Sequence, residues 1–408
     1  MVNEETERIL GALPSFYRDI YAAAEREETE RGVFFLEETY ITSLHEELGV
    51  FPRILNKLLT DAAGLREDRD YARLALFIYR SMLDRKSFLE NIDRFEPSGK
   101  HDFLLLFCLL PFIRGIQAEL EARKVPSEVI ADTLAQFEEI AFIFAERYDR
   151  LGYNMRYFKH MQLYVDGRIL NIGRLRFERT ELQEPVYFLE DLHTGQRQLV
   201  MGRAEINSDG LIYGTPPTEG DPIRTDFTED DAAYHAHPIL PDGRCSLTVS
   251  RYPKDTYRVL LQPGDSCLSV HIPGGSALTE GACEESYRRA GEIFERCFSE
   301  PEKAFVCYSW MMSPQLEDML SDGSALLSFK RKYRIFPIRT EGADVLNFVF
   351  RLKYTSFEEL PEDTSLQRAI KKLYLNGDRF YEFGGVYMKE IAPKKTHRRS
   401  DEADGMLV

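Results

Sequence analysis

Residues 265–310 constrain the fold of this chain more than any other part of its sequence. An apolar strand pattern over residues 266–272 leads into a Gly-Gly turn, which is followed by an amphipathic helix pattern over 279–298 and a second apolar strand pattern over 304–309. Two strands joined through a helix run parallel, and the crossover between them is right-handed. The sequence therefore predicts a βαβ unit with a parallel strand pair inside a sheet.

The turn of this unit delivers the backbone onto the start of the helix. Free backbone N–H groups and the positive end of the helix dipole at such a start suit a phosphate. The residues thus support the hypothesis that a nucleotide-like or coenzyme-like anion binds at residues 274–279. The alternative is that Gly274 and Gly275 only turn the chain, since short glycine motifs often occur without a ligand.

Composition restricts the partners and the compartment. The 408 residues suffice for two or three domains, and a formal charge of −16 opposes binding to the nucleic-acid backbone. The most apolar run, 103–113, is shorter than the ~20 residues of a membrane helix and contains Pro111, so it predicts a buried core helix. No secretory signal is visible, and the six cysteines lack C-x-x-C spacing. We expect a cytoplasmic protein that binds neither nucleic acid nor membrane.

The spacing at which apolar residues recur along the sequence changes near residue 150. Up to about Tyr148 apolar residues recur at helical spacing, which is typical of an all-α bundle. Beyond this point residues 161–172, with Asp166-Gly167 at their centre, predict a β-hairpin, and 174–179 predict a further alternating strand. An antiparallel meander is therefore expected ahead of the βαβ unit.

The remaining part of the chain mixes strand and helix signals. Strand-like patterns cover 325–338 and 345–352, and a last strand is expected over 385–391. Thr364 to Gln367 form a capping box that starts a helix. The predicted fold class is α+β, divided into an all-α domain over 1–152, a mixed α/β domain over 153–392 and a disordered tail over 393–408.

Several spaced motifs carry a resemblance to a known family. They are Val270-His-Ile-Pro273, Leu278-Thr279, Cys283-Glu-Glu-Ser286, Cys307-Tyr-Ser-Trp310, Pro314-Gln-Leu316 and Phe329-Lys-Arg331. With them the chain resembles bacterial acyltransferase-domain proteins, which pair a helical N-terminal domain with a C-terminal domain similar to the Gcn5-related N-acetyltransferases (GNAT). The resemblance covers roughly residues 1–390 and extends over several motifs.

The resemblance implies how a coenzyme would bind. In the GNAT fold, acetyl-CoA or another acyl-CoA inserts between two splayed parallel strands, which here would be 266–272 and 304–309. The pyrophosphate binds backbone N–H groups of the turn after the first strand. The corresponding cofactor-binding residues here are Gly274, Gly275, Ser276, Ala277 and Thr279. Where the family's turn carries Gln or Arg, this sequence has Ile272, and the turn is longer.

Acyl transfer to an amine needs a base for the ammonium proton and an acid for the leaving thiolate. Strand parity places Cys267, Ser269 and His271 on one face, with His271 at the carboxyl end of the strand, where ligands of open α/β sheets collect. His271 is the predicted base. The alternative is a structural histidine that is hydrogen-bonded beneath the glycine turn.

Three further side chains are candidates near this base. Tyr308, at the end of the neighbouring strand, would protonate the thiolate, and Glu178, on the polar face of the meander, would act as a water-linked base. Cys307 would come close to His271 if the strand register allows it. Their structural alternatives are a core tyrosine, a surface carboxylate and a small buried thiol.

His235-Ala-His237 is the one metal-like spacing, and acidic residues lie upstream of it between Asp226 and Asp231. Two imidazoles and a carboxylate would suit Zn²⁺ in a metal-dependent hydrolase. The alternative is an acidic loop, because no third ligand stands at motif spacing.

Together, the residues and the resemblance predict an acyl-CoA-dependent N-acyltransferase that needs no metal and moves an acyl group directly to an amine of a small molecule or peptide. A non-catalytic binding or scaffold protein on a degenerate acetyltransferase fold, and the metal-dependent hydrolase of His235 and His237, stay open as alternatives.

Overall fold

Helices occupy the first part of the chain and most strands the second. The computed structural model describes residues 3–215, 220–298, 302–350 and 354–388. Within these residues the first helices are α1 (Glu4–Ala12), α2 (Tyr17–Arg31), α3 (Glu38–Leu48), α4 (Leu55–Glu67), α5 (Arg69–Met82), α6 (Arg85–Asn91), α7 (Leu104–Ala122), α8 (Ser127–Leu134), α9 (Gln136–Tyr148) and α10 (Met155–Val165).

The elements that follow are β1 (Ile169–Ile172), β2 (Leu175–Glu181), β3 (Val186–Asp191), β4 (Arg197–Met201), β5 (Ala204–Ile206), β6 (Ile223–Thr225), β7 (Thr228–Glu229), β8 (Ala233–Pro238), β9 (Ser250–Pro253), β10 (Tyr257–Leu261), β11 (Ser266–His271), α11 (Glu280–Phe298), β12 (Ala304–Ser309), α12 (Leu316–Met319), α13 (Ala325–Lys330), β13 (Arg334–Pro337), α14 (Ala343–Val345), α15 (Ser365–Leu375) and β14 (Phe383–Met388). The chain is therefore α+β, as the sequence predicts.

Helix α7 lies in the core of the helical region. All side chains from Leu104 to Leu110 are buried, so the first half of the helix is covered on every side, as expected from its apolar sequence, while Ala118 and Glu119 in the second half are exposed. Pro111 lies inside this helix. No helix in the described ranges combines the length and the apolar character that crossing a membrane requires.

The main sheet contains the predicted βαβ unit. Its strand order is β1-β2-β11-β12-β14-β13, in which β11 and β12 are parallel and the other neighbours are antiparallel. Helix α11 makes the crossover between β11 and β12. Both strands begin at the residues that the sequence predicts, and the antiparallel β1–β2–β11 part forms the expected meander.

The parallel pair separates after three paired positions. These positions are Cys267–Ala304, Leu268–Phe305 and Ser269–Val306. Beyond them each strand continues to pair with its outer neighbour only, as far as His271 opposite Arg176 on one side and Ser309 opposite Phe383 on the other. The centre of the sheet is therefore splayed at the carboxyl ends of β11 and β12.

The two faces of the main sheet are covered differently. Phe177, Val270 and Phe305 lie on the face that packs against α11. Cys267 and Val306 lie on the opposite face and share a core with a second, antiparallel sheet of order β10-β3-β4-β8-β7, in which β9 also pairs with β8. A small two-stranded sheet, β5-β6, completes the strands.

The helical region packs directly on the edge strand β1. Helices α8 and α10 cover this strand, and one continuous apolar core includes residues of the bundle, of β1 and of α11. Polar contacts fix the junction: the backbone N–H of Asn171 donates to Thr133 Oγ1 at 3.1 Å, and Arg85 binds Asp166 and Gln162. The helices thereby shield an otherwise open sheet edge.

One predicted strand is a helix. Residues 161–165 belong to α10, and Asp166-Gly167 joins this helix to β1 instead of turning a hairpin. Asn154 caps the helix, because its side chain accepts a hydrogen bond from the backbone N–H of Tyr157 at 3.0 Å. Helical structure therefore extends to Val165, while the division between residues 152 and 153 stays a prediction.

Two further strand predictions are wrong. Residues 325–330 form α13, and only Arg334–Pro337 of that stretch is a strand. The described residues of the stretch 345–352 form helical turns, with Val345, Leu346 and Phe350 buried in a local core. Packing of these apolar residues on α15 outweighs their strand-like composition. The capping box of Thr364 and Gln367 is confirmed, and the last strand is β14. Residues 393–408 lie outside the described residues.

We expect Asn154→Ala to lower the free energy of unfolding by about 1 kcal/mol, because the first turn of α10 loses its side-chain cap. Urea denaturation followed by circular dichroism measures the change. Asn56→Ala, at an exposed position within α4, is the matched control and is expected to change stability by less than about 0.5 kcal/mol. Equal effects of the two substitutions would contradict a capping role for Asn154.

Candidate functional site

His271 and Glu178 form a hydrogen-bonded pair on one face of the main sheet. The antiparallel register of β2 and β11 sets His271 opposite Arg176 and Ser269 opposite Glu178, so all four side chains share this face. His271 Nε2 lies 3.0 Å from Glu178 Oε2. An ionised carboxylate only accepts hydrogen bonds, so Nε2–H donates to it and Nδ1 of a neutral ring keeps its lone pair. The pair leaves Nδ1 as the basic nitrogen.

Glu178 is held on both of its oxygens. Its side chain is 12% exposed, and Arg168 Nη2 donates to Oε1 at 2.6 Å. Burial opposes ionisation of this carboxyl group, but the hydrogen bond from His271 and the charges of His271 and Arg168 outweigh burial, and the pKa of Glu178 is lowered. A charged, fixed carboxylate therefore orients the His271 ring.

Tyr308 lies across the splay on the same face. Alternate residues of a strand lie on the same face, so Tyr308 shares a face with Ala304 and Val306 of β12. These two residues pair with Cys267 and Ser269, which lie on the His271 face of β11. Its ring contacts Phe336 edge to face, with 6.2 Å between the centroids. Burial, followed by the charge of Glu184, raises the pKa of Tyr308 above its ordinary value of 10.0. The phenol thus keeps its proton at neutral pH and is available as a donor.

Cys307 does not share this face. By strand parity it lies on the side of α11, in the same core as Phe305 and Leu268. Burial raises the pKa of the Cys307 thiol to about 12 and also that of the Cys267 thiol to about 12. Neither cysteine supplies a thiolate nucleophile at neutral pH, and Cys307 is the small buried thiol of the structural alternative, on the face away from His271.

The glycine turn presents unused backbone donors. Gly274, Gly275, Ser276 and Ala277 are exposed, and Gly275 adopts a φ of +97°, which favours glycine. Within the described ranges, no protein acceptor takes a hydrogen bond from the backbone N–H groups of these four residues. The carbonyl of Thr279 accepts from the backbone N–H of Cys283 at 3.1 Å, which marks the start of α11 as predicted.

Arg174 fixes the far side of the turn. Its guanidinium donates to the carbonyl oxygens of Ser276 at 2.7 Å and Ala277 at 3.2 Å. Its backbone N–H donates to Ser286 Oγ of α11 at 2.9 Å. Because these contacts engage carbonyl groups of the turn and leave its N–H groups free, the turn and the positive end of α11 together suit an anion. The sequence prediction did not include Arg174.

The two metal-site candidates lie on the second sheet. His235 Nε2 is 2.9 Å from Asp230 Oδ2, and the buried His237 is 2.9 Å from the carbonyl oxygen of Ser246 through Nδ1. Among the residues that the structure describes, no three His, Cys, Asp or Glu side chains are grouped so that they would hold a metal ion. Both histidines have protein partners that account for their positions.

His160 of α10 lies beside His271, and sequence reasoning missed it. The centroids of the two imidazole rings are 6.0 Å apart and the rings are tilted by 58°. Burial, followed by the charges of His271 and Arg176, lowers the pKa of His160 from 6.5 to about 4. The helical spacing of Phe158, Met161 and Tyr164 on the buried side of α10 is the signal that would have placed His160 on a helix.

His160 makes stability depend on pH. Its pKa is about 4 in the folded protein and near 6.5 in the unfolded chain, so between these values the unfolded chain binds the extra proton. The contribution is present above pH 6.5 and is lost as pH falls towards 4. We expect the free energy of unfolding of the wild type to fall by roughly 1 kcal/mol per pH unit more than that of His160→Phe in this window. Parallel slopes in urea denaturation between pH 7 and 4.5 would contradict a half-buried His160 ring that is neutral in the folded protein.

Comparisons with known proteins bear on the fold of the chain. No curated protein matches the chain. Four matching chains of solved structures share its fold, each at 19% identity and over 85% of this chain. One is an acyltransferase in complex with decanoyl-CoA, with a TM-score of 0.54 and 87% of its own chain covered. Another is an acyltransferase in complex with decanoyl-CoA and teicoplanin, with a TM-score of 0.51 and 99% covered.

A protein-family model matches the C-terminal part of the chain. The model of the GNAT-like C-terminal domain matches residues 169–387, which is more than half of the 408 residues. The matched range begins with β1 and ends within β14, so it spans the whole main sheet and both strands of the splay. The resemblance that the sequence motifs indicate is therefore confirmed, and the chain belongs to the family of proteins with a GNAT-like C-terminal domain.

Proposed function

We propose that this protein is an acyl-CoA-dependent N-acyltransferase. The observation that carries the proposal is the splay between β11 and β12, with His271 and Tyr308 on the same face of its two sides. A base and a proton donor thus flank an opening in the sheet, next to a turn with free N–H groups. The family and the fold of acyltransferases that bind decanoyl-CoA and octanoyl-CoA support the same reaction class.

The coenzyme would bind along the splay. Its pyrophosphate would accept hydrogen bonds from the N–H groups of Gly274, Gly275, Ser276 and Ala277, with the start of α11 at Thr279 adding the helix dipole. In the described ranges, the ladder between β11 and β12 ends at Ser269 and Val306, so the inner edges of both strands continue beyond it without a strand partner. The amides of the pantetheine arm would pair with these edges as an added strand does.

The reaction would proceed by direct transfer. Nδ1 of His271 removes a proton from the acceptor ammonium group, while Nε2–H stays bound to Glu178. The amine nitrogen attacks the thioester carbonyl, so a C–N bond forms and the C–S bond breaks. Tyr308 gives its proton to the departing sulfur and regains one from the nitrogen, which sheds its second proton as the amide forms. The products are an amide, free coenzyme A and one proton, and no metal takes part.

Glu178 would act through His271 and not as a water-linked base. One of its oxygens accepts from His271 and the other from Arg168, and the lowered pKa of the carboxyl group makes it a weak acceptor for a proton from a substrate water. The acceptor we propose is an amine of a small molecule or peptide. The solved acyltransferase in complex with decanoyl-CoA and teicoplanin supports an amine-bearing acceptor of this kind.

Isothermal titration of acetyl-CoA, octanoyl-CoA and decanoyl-CoA tests the coenzyme site. We expect micromolar binding of at least one of them, and binding about tenfold or more weaker in Gly275→Glu, because a carboxylate then faces the pyrophosphate. Gly195→Glu is the matched control. Like Gly275, Gly195 has a positive φ, lies in an exposed turn and has open space around it, but its turn joins β3 to β4 in the second sheet. It should bind like the wild type.

No binding by folded wild-type protein at millimolar ligand would overturn the enzyme assignment and favour the scaffold alternative. Equal binding by Gly275→Glu and Gly195→Glu would place the coenzyme elsewhere.

Release of the coenzyme A thiol in the presence of a panel of primary amines tests the catalytic roles. We expect kcat to fall by about 10²–10⁴-fold in His271→Gln, since the base is lost, and by a smaller factor in Glu178→Gln. Glu190→Gln is the matched control: Glu190 is 13% exposed and binds Arg197 and Arg258, so it resembles Glu178 but lies on β3. A wild-type rate in His271→Gln would remove His271 from the mechanism.

A further inference from the structure

The helical region contributes a side chain to the surroundings of His271. His160 belongs to α10, which ends four residues before the matched domain begins at residue 169. Its ring lies 6.0 Å from the His271 ring between centroids. A residue outside the matched range is therefore in contact with the ring that we assign as base.

Helix α10 is fixed in place at this point. Phe158, Met161 and Tyr164 are fully buried, and they anchor the helix in the core shared with β1. Tyr164 contacts the His160 ring edge to face at 5.7 Å, and its hydroxyl donates to Asn171 Oδ1 at 3.0 Å. His160 is therefore presented to His271 from a rigid support.

His271 needs such a support because it lies near the surface. Its side chain is 33% exposed, and its one hydrogen bond to a protein side chain in the described ranges goes to Glu178. One contact fixes the distance of Nε2 but leaves the ring free to turn about that bond. A second ring that packs against its side removes this freedom, since aromatic pairs prefer defined tilted geometries.

The neutral charge state of the His160 ring also suits its position beside His271. The charged groups around His271 are Arg176, directly opposite it in the register, Glu178, and Arg168 beyond Glu178. Burial keeps the His160 ring neutral above pH 4. When His271 takes a proton, a neutral ring is a better neighbour than a third cation.

We propose that His160 is a positioning residue that holds the His271 imidazole against Glu178 with Nδ1 facing the splay. The helical region is then a part of the active site and not a separate module. This inference rests on the proposed function, because it assumes that His271 is the base.

Two substitutions of His160 distinguish an effect of its packing against His271 from an effect of its own protonation. His160→Ala removes the ring, while His160→Phe keeps a planar ring of similar size without a titratable nitrogen. We expect kcat to fall about ten- to hundredfold in His160→Ala with an unchanged KM for acyl-CoA, because a misplaced base slows the chemical step while the glycine turn still binds the coenzyme. His160→Phe should restore most of the loss. His101→Ala, a partly buried histidine elsewhere in the helical region, is the control and should keep the wild-type kcat.

Imidazole ¹⁵N–¹H correlation spectra supply a readout that does not need turnover. In the wild type and in His160→Phe we expect His271 to show a single tautomer protonated at Nε2, and in His160→Ala a mixture of tautomers. An unchanged tautomer and an unchanged kcat in His160→Ala would overturn the positioning role, and so would a Phe variant as impaired as the Ala variant. A wild type that binds no acyl-CoA and transfers no acyl group would instead overturn the proposed function, whatever the spectra show.

Discussion

The rest of the site depends on the early end of one β-ladder. Parallel neighbours in the middle of a sheet normally pair along their whole length, because unpaired buried backbone groups destabilise a fold. Here β11 and β12 stop after Ser269 and Val306, and each stays in the sheet through its outer neighbour, β2 or β14. The opening is therefore built without detaching either strand. In the part of the chain that the structure describes, the inner edges of both strands have no strand partner beyond this point.

The side chains at this opening divide according to strand parity. Residues on the α11 face, such as Phe305 and Cys307, are apolar or uncharged and close the core. The other face carries the polar side chains of the proposed site, with His271 on one side of the splay and Tyr308 on the other. A shift of either strand by one position would exchange the two sets. The turn held by Arg174 and the ladder of β2 with β11 oppose such a shift.

The sequence predicts the βαβ unit well, because apolar residues recur at clear strand or helix spacing in each of its three elements and glycines mark its turn. It singles out His271 from strand parity and Tyr308 from its position at the end of the neighbouring strand. The hydrogen bond between His271 and Glu178 depends on the register of two strands 93 residues apart, which no local pattern contains. The sequence does not predict a role for His160, and the reason is a different one. Met161, Leu163 and Val165 alternate like a strand over a short window, and only the longer spacing from Phe158 to Tyr164 reveals the helix.

The junction between helices and sheet explains why this GNAT-like domain has a helical partner. Strand β1 is four residues long and forms the edge of the main sheet, with Ile169, Leu170 and Ile172 fully buried. That burial includes the cover from α8 and α10, so without the helices this edge would expose apolar side chains and unpaired backbone groups. Strand β1 in turn pairs with β2, which carries Glu178 and Arg176. The helical region therefore supports the site through the sheet as well as through direct contact at His160, and the two regions form one structural unit.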